Sequence, residues 1–103
     1  MEVTEIHCDA FEITSVPRLD PIQVFWRNVE AGKGYVTLTC WGQAWTAYFG
    51  GMNGQTIQQF FREAGSDYLS TKLGITPLLK CRKADLAYLR RIIEAVQATL
   101  EKT

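Results

Sequence analysis

The run Ile22-Gln23-Val24-Phe25-Trp26-Arg27-Asn28-Val29 and its answer Tyr35-Val36-Thr37-Leu38-Thr39-Cys40-Trp41 decide the fold. Both segments change polarity at every second residue, which is the period of a strand with two unlike faces. The five residues between them, Glu30-Ala31-Gly32-Lys33-Gly34, carry two glycines and read as a hairpin turn with positive φ. Pairing Val29 with Tyr35 sets Arg27 opposite Thr37, Phe25 opposite Thr39 and Gln23 opposite Trp41. One face then gathers Val24, Trp26, Val36, Leu38 and Cys40. That face is by far the more apolar and is assigned to the core. The other carries Phe25, Tyr35 and Trp41 beside Arg27, Gln23 and two threonines.

Upstream of the hairpin, Glu2 to Thr14 places Val3, Ile6, Cys8, Phe11 and Ile13 among acids. The alternation slips phase twice, so this is one long strand with an irregularity or two short ones. The connector Ser15-Val16-Pro17-Arg18-Leu19-Asp20-Pro21 ends it, because neither proline donates to a ladder. Downstream, Gly42-Gln43 admits two readings. It is a two-residue turn leading into a fourth strand, Ala44 to Phe49, or a bulge within a third strand that continues to Phe49. A long first strand needs a long partner, which favours the bulge. Gly50-Gly51-Met52-Asn53-Gly54 is too rich in glycine for a strand or helix interior and closes the sheet region.

From there the period becomes helical. Thr56-Ile57-Gln58-Gln59 has the form of a capping box, with a hydroxyl at the cap and Gln three residues on. Ile57, Phe60, Phe61 and Ala64 line one side, and Gly65 stops the helix. Ser66-Asp67 caps a second helix through Leu69 and Leu73, closed by Gly74. Thr76-Pro77 is a turn, followed by Leu78-Leu79. From about Lys83 to Glu101, Leu86, Leu89, Ile93, Val96 and Leu100 recur at three and four residues, widened by Tyr88 and Ile92. Arg90, Arg91, Glu94, Gln97 and Glu101 form the wet side. Strands first and helices afterwards define an α+β domain. It has a small antiparallel sheet of three to four strands within residues 1–50, then two or three helices packed on one face. The last helix is long and amphipathic. With 103 residues the chain is expected to form one domain, 1–103.

Composition narrows the function. Hydrophobic residues make up 47% and charged residues 21%, the proportions of a folded globular chain rather than a disordered one. Eleven Lys and Arg balance eleven Asp and Glu, which removes the bulk attraction of a protein that coats nucleic acid. No apolar run approaches the roughly 18–20 residues that span a bilayer. The acidic start Met1-Glu2-Val3-Thr4-Glu5 lacks the basic and apolar regions of a secretory signal, so a cytoplasmic location and no membrane partner are expected. Cys8, Cys40 and Cys81 are odd in number and far apart, a poor disulfide framework, and are expected to be reduced.

Catalytic and metal signatures are absent. His7 is the sole histidine, and a neighbouring strand residue such as Cys8 points to the opposite face, which makes a Cys–His pair geometrically poor. No CxxC or HxxxH spacing supports a metal site. The glycines at 50–54 lack the lysine ending of a phosphate loop and read as a plain connection from sheet to helix. No enzyme activity, cofactor or metal is therefore expected. Two features invite interaction instead. Phe25, Arg27, Tyr35 and Trp41 gather aromatic and cationic groups of the kind that concentrate at protein interfaces and also stack unpaired bases, unless the C-terminal segments wrap round and cover that face. Lys80, Arg82 and Lys83, with Arg90 and Arg91, form a basic cluster. Residues 1–50 carry three bases against six acids, a net −3, and residues 51–103 eight against five, a net +3. That asymmetry suits docking to an acidic protein or to a second copy.

The string Thr37-Leu38-Thr39-Cys40-Trp41-Gly42-Gln43-Ala44-Trp45-Thr46-Ala47-Tyr48-Phe49-Gly50-Gly51-Met52 resembles a group of small, uncharacterised proteins from bacteriophages and prophages. The likeness extends through Phe60-Phe61 to Asp67-Tyr68-Leu69 and back to Val16-Pro17-Arg18-Leu19-Asp20-Pro21. The resemblance implies a phage or prophage accessory protein acting in a bacterial cytoplasm, and it assigns no catalytic residue. The expected function is non-enzymatic binding of a host or phage macromolecule, anti-defence action included. A homodimer with Trp41 in or beside its interface is expected as well. The alternative is a single-stranded nucleic-acid-binding module that uses the sheet aromatics, disfavoured by the neutral net charge.

Overall fold

The computed structural model describes residues 1–74 and 83–101. Four antiparallel strands, β1 (Asp9–Ile13), β2 (Ile22–Glu30), β3 (Lys33–Cys40) and β4 (Gln43–Phe49), form one sheet in the order β1-β2-β3-β4. Among the described residues three helices follow: α1 (Ile57–Glu63), α2 (Ser66–Gly74) and α3 (Lys83–Glu101). This is the α+β architecture that the change of period near Gly50 predicts. The Thr76-Pro77 turn, Leu78-Leu79 and Cys81 lie outside the described residues.

All three helices pack on one face of the sheet. Ile22, Val24, Trp26, Val36, Leu38, Cys40 and Phe49 enter the core from the strands. Ile57 and Phe61 of α1, Leu69 and Leu73 of α2, and Leu89, Ile92, Ile93 and Val96 of α3 meet them. The predicted core face of β2 and β3 is thus buried, and the stripe of α3 is centred on Ile92 and Ile93. Leu86 and Leu100, at its two ends, are only half-buried. Phe61 packs edge-on to Trp26 at 5.1 Å between ring centroids and marks the middle of the core. Gln97, placed on the wet side by the periodicity, does more than meet solvent. Its Nε2 donates to the Phe61 and Ala64 carbonyls at 3.0 and 2.7 Å and so satisfies the C-terminal end of α1.

Several expectations of register and boundary are corrected. Tyr35 pairs with Arg27, not Val29, and Phe25 pairs with Thr37. The slip is two residues, so every side chain keeps its predicted face. Its cause is the turn, which occupies only Ala31 and Gly32 between Glu30 and Lys33, with a bulge between Asn28 and Glu30. Of the two turn glycines, only Gly32 takes positive φ, at +79°. Gly34 is required for another reason: a Cβ there would lie 2.9 Å from the Arg27 carbonyl and 3.0 Å from Ile57 Cβ.

The bulge at Gly42 is replaced by a reversal. Trp41 and Gly42 both have positive φ, +52° and +76°, and Cys40 pairs with Gln43. Two successive left-handed residues match the right-handed twist of a tight hairpin. The first strand is five residues long, because β1 pairs only with Ile22 to Trp26. Residues 1–8 lie outside the sheet, and Val3 and Ile6 are exposed. The two phase slips noted in the sequence leave these apolar residues without a common face to bury.

The glycine-rich connection is built into the fold. Met52 N–H donates to the Gly32 carbonyl, Gly32 N–H to Gln55, and Gln55 N–H to Met52, which ties residues 52–55 to the β2–β3 turn. At the start of α1 the capping box forms as predicted, with Thr56 and Gln59 satisfying each other's main chain.

Candidate interaction surface

The helices cover one face of the sheet and, among the described residues, leave the other bare. Alternation brings Ala10 and Glu12 of β1, Gln23, Phe25 and Arg27 of β2, Tyr35, Thr37 and Thr39 of β3, and Ala44, Thr46 and Tyr48 of β4 to that outer face. Registry then sorts them into two chemically different halves.

One half is polar and internally satisfied. Gln23 Nε2 donates to Glu12 Oε2 at 2.6 Å, and Thr39 Oγ1 donates to Gln23 Oε1 at 2.6 Å. Toward the middle, Thr37 and Thr46 hydroxyls meet, and Thr46 Oγ1 donates to the Val36 carbonyl.

The other half is aromatic and open. Phe25, Tyr35 and Tyr48 are 39, 41 and 50% exposed, far more than an aromatic ring in a core. The Tyr35 and Tyr48 rings lie 4.8 Å apart across the β3–β4 pair. The Arg27 guanidinium sits 5.9 Å from the Tyr35 ring centroid, within the range of a cation–π contact. Among the described residues no carboxylate pairs with Arg27. A hollow of about 260 Å³, lined by Cys8, Phe25, Trp26, Arg27, Tyr35 and Thr37, opens here. Its floor offers apolar contact, and Arg27 offers guanidinium donors at the rim.

Of the residues singled out in the sequence, the fold brings Phe25, Arg27 and Tyr35 together. It separates Trp41 from them. Trp41 stands in the β3–β4 turn, 76% exposed, where the corrected register puts Thr39 rather than Trp41 opposite Gln23. There it borders a second cavity of about 340 Å³ with Asp20, Cys40, Gln43, Asp85 and Tyr88. Lys80 and Arg82 lie outside the described residues, and Lys83 is the first residue of α3. Two further members of the basic cluster, Arg90 and Arg91, are engaged within the chain. Arg90 pairs with Asp67, and Arg91 donates to the Arg18 carbonyl and lies over the Tyr88 ring. Sequence reasoning missed Thr46 and Tyr48 as members of the open face. Reading Trp41-Gly42 as a hairpin is the signal that places them there, since it sets Tyr48 beside Tyr35.

Chemical groups elsewhere are held in structural roles. Cys40 Sγ donates to the Asp20 carbonyl at 3.5 Å and accepts the Tyr88 hydroxyl at 3.3 Å. That hydrogen bond, with burial second, pushes the Tyr88 phenol up to about 12. Two of the N–H groups at the start of α1 are already taken, Ile57 by Asn28 Oδ1 and Gln59 by Thr56 Oγ1. His7 and Cys8 precede β1, so the strand geometry expected for them does not apply, and both are exposed. Among the described residues no three of His, Cys, Asp and Glu gather in metal-binding positions, and no helix is long and apolar enough to cross a membrane.

An α+β protein with one sheet face under helices and an open, aromatic second face is the class these elements define. The chain belongs to a phage protein family, whose model matches residues 1–77 and so takes in the sheet, α1 and α2. No curated protein and no solved structure matches it.

Proposed function

We propose that this phage protein acts without catalysis, by binding a host or phage protein in the bacterial cytoplasm through the outer face of its sheet. The observation that carries the reading is the association of three exposed aromatic rings, Phe25, Tyr35 and Tyr48, with the Arg27 guanidinium, which no carboxylate among the described residues pairs. Such a patch combines apolar area with one directed charge, the composition of an interface centre. Membership of a phage family supports the setting. With Lys33 held by Glu30, Arg27 is the one cation among the described residues left to this patch, which favours a protein over a nucleic acid because each phosphate held needs its own positive partner.

Affinity capture from bacterial lysate tests this, comparing the wild type with a Phe25→Ser/Tyr35→Ser variant after nuclease treatment. A protein retained by the wild type and released by the variant is expected. Retention abolished by nuclease, and falling steeply with salt, would overturn the reading in favour of single-stranded nucleic acid.

A further inference from the structure

The two edges of the sheet are unequal. β1 is five residues long and carries Asp9 and Glu12. β4 is seven residues long, Gln-Ala-Trp-Thr-Ala-Tyr-Phe, with neither charge nor proline. Free edges are ordinarily shortened, charged or interrupted, because their unused N–H and C=O groups template another strand. β4 has none of these protections.

Geometry specifies which of its groups are unused. The hairpin closes on Cys40 and Gln43, so the pairs that exchange main-chain hydrogen bonds with β3 fall at Gln43, Trp45, Ala47 and Phe49. The main-chain groups of Ala44, Thr46 and Tyr48 point away from the sheet. Among the described residues no hydrogen bond reaches them.

The order of side chains along β4 identifies what fits this edge. Antiparallel pairing with a second β4, about a two-fold axis through Thr46, sets Ala44 opposite the partner's Tyr48 and Trp45 opposite the partner's Ala47. A large side chain meets a small one on both faces. The same axis aligns Ala44, Thr46 and Tyr48 with their counterparts in the hydrogen-bonding phase, giving about six main-chain bonds. Axes through Ala44 or Tyr48 keep that phase but pair fewer residues, and the second sets Tyr48 against itself.

We propose that two copies of the chain associate through β4, antiparallel about Thr46, into one continuous sheet. The seam joins the two open faces. Tyr48, already against Tyr35, stands opposite the partner's Ala44, so the two aromatic pairs flank the Thr46 axis at opposite ends of the seam on one shared face. The expected dimer thus forms at the sheet edge, not by covering Phe25 and Tyr35. It does not depend on what the open face binds.

Sedimentation equilibrium at micromolar concentration tests the edge, with circular dichroism confirming the fold of each variant. The wild type is expected to be a dimer. Thr46→Lys and Thr46→Glu each set like charges opposite one another and should weaken the dimer at least tenfold, whereas an equimolar mixture should restore it. Ala44→Trp, at an exposed position, should weaken it equally by colliding with the partner's Tyr48, and it replaces the charged pair if either of those fails to fold. A monomeric wild type, a dimer undiminished by these substitutions, or a mixture of the folded charged variants that stays monomeric would overturn the proposal. Phe25→Ser/Tyr35→Ser should remain dimeric, which separates this interface from the binding role of the open face.

Discussion

Asn28 Oδ1 accepts the N–H of Ile57 at 2.7 Å, so a strand residue caps the first turn of a helix 29 positions away. Its Nδ2 donates to Gln58 Oε1 at 2.9 Å, and the neighbouring Gly34 leaves room for Ile57 to descend onto the sheet. The contact fixes α1 against β2 and β3, and thereby the side of the sheet that the helices cover.

Asn28→Ala removes the acceptor and leaves the part-buried Ile57 N–H without it. A loss of about 1–3 kcal/mol is expected. Chemical denaturation reads it as a lower midpoint with unchanged slope, and a change below about 0.5 kcal/mol would show that α1 does not rely on this cap.

Gly34→Ala should destabilise although its φ is ordinary. The added methyl meets the Arg27 carbonyl and Ile57 Cβ, and neither yields without moving β2 or α1. A loss of about 1–3 kcal/mol is expected from overpacking. Gly42→Ala provides the contrast: open space surrounds that site, and its cost comes from positive φ alone.

Ile93→Ala empties the centre of the α3 stripe, where the side chain is fully buried. The expected cost is about 2–5 kcal/mol, a large part of the stability of a small domain. A thermal or denaturant midpoint that hardly moves would mean that α3 is not packed on the sheet.

Tyr88 should ionise late. Its neutral form is favoured by the Cys40 hydrogen bond and by burial, so its contribution to stability is complete below about pH 10, the unfolded value, and is lost as pH rises through about 12. The ultraviolet difference between the titrations of wild type and Tyr88→Phe isolates this group. Cys40→Ala should move its midpoint downward, and an unmoved midpoint would assign the shift to burial instead.

Among the described residues the buried Trp26 Nε1 has no hydrogen-bond partner, although the ring is the hub between Phe11 and Phe61. Trp26→Phe removes that unsatisfied donor along with part of the ring. The two effects oppose each other, so a net loss of about 1–2 kcal/mol is expected, against about 3–5 kcal/mol for Trp26→Ala. A Trp26→Phe loss as large as that of Trp26→Ala would show that a phenyl ring restores none of the packing at this site.

What the sequence determined by itself follows from periodicity. A strand repeats at two residues and a helix at 3.6, so the core faces of β2 and β3, the buried stripe of α3 and the capping box at Thr56 were all legible along the chain. A two-residue slip preserves the face of every side chain, which is why Phe25, Arg27 and Tyr35 were placed together despite the wrong pairing of Val29 with Tyr35. Tertiary structure decided what depends on contacts distant in sequence. Whether Trp41-Gly42 reverses the chain, and so brings Thr46 and Tyr48 to the open face, is set by the pairing of β3 with β4. Neither the shortness of β1 nor the capping of α1 by Asn28 leaves a local signature. Gln97 looked like a solvent residue because a polar side chain at its helical position reads the same, whether it meets water or the carbonyls of Phe61 and Ala64. Local pattern reports which way a side chain faces, and only the folded chain supplies the group it meets.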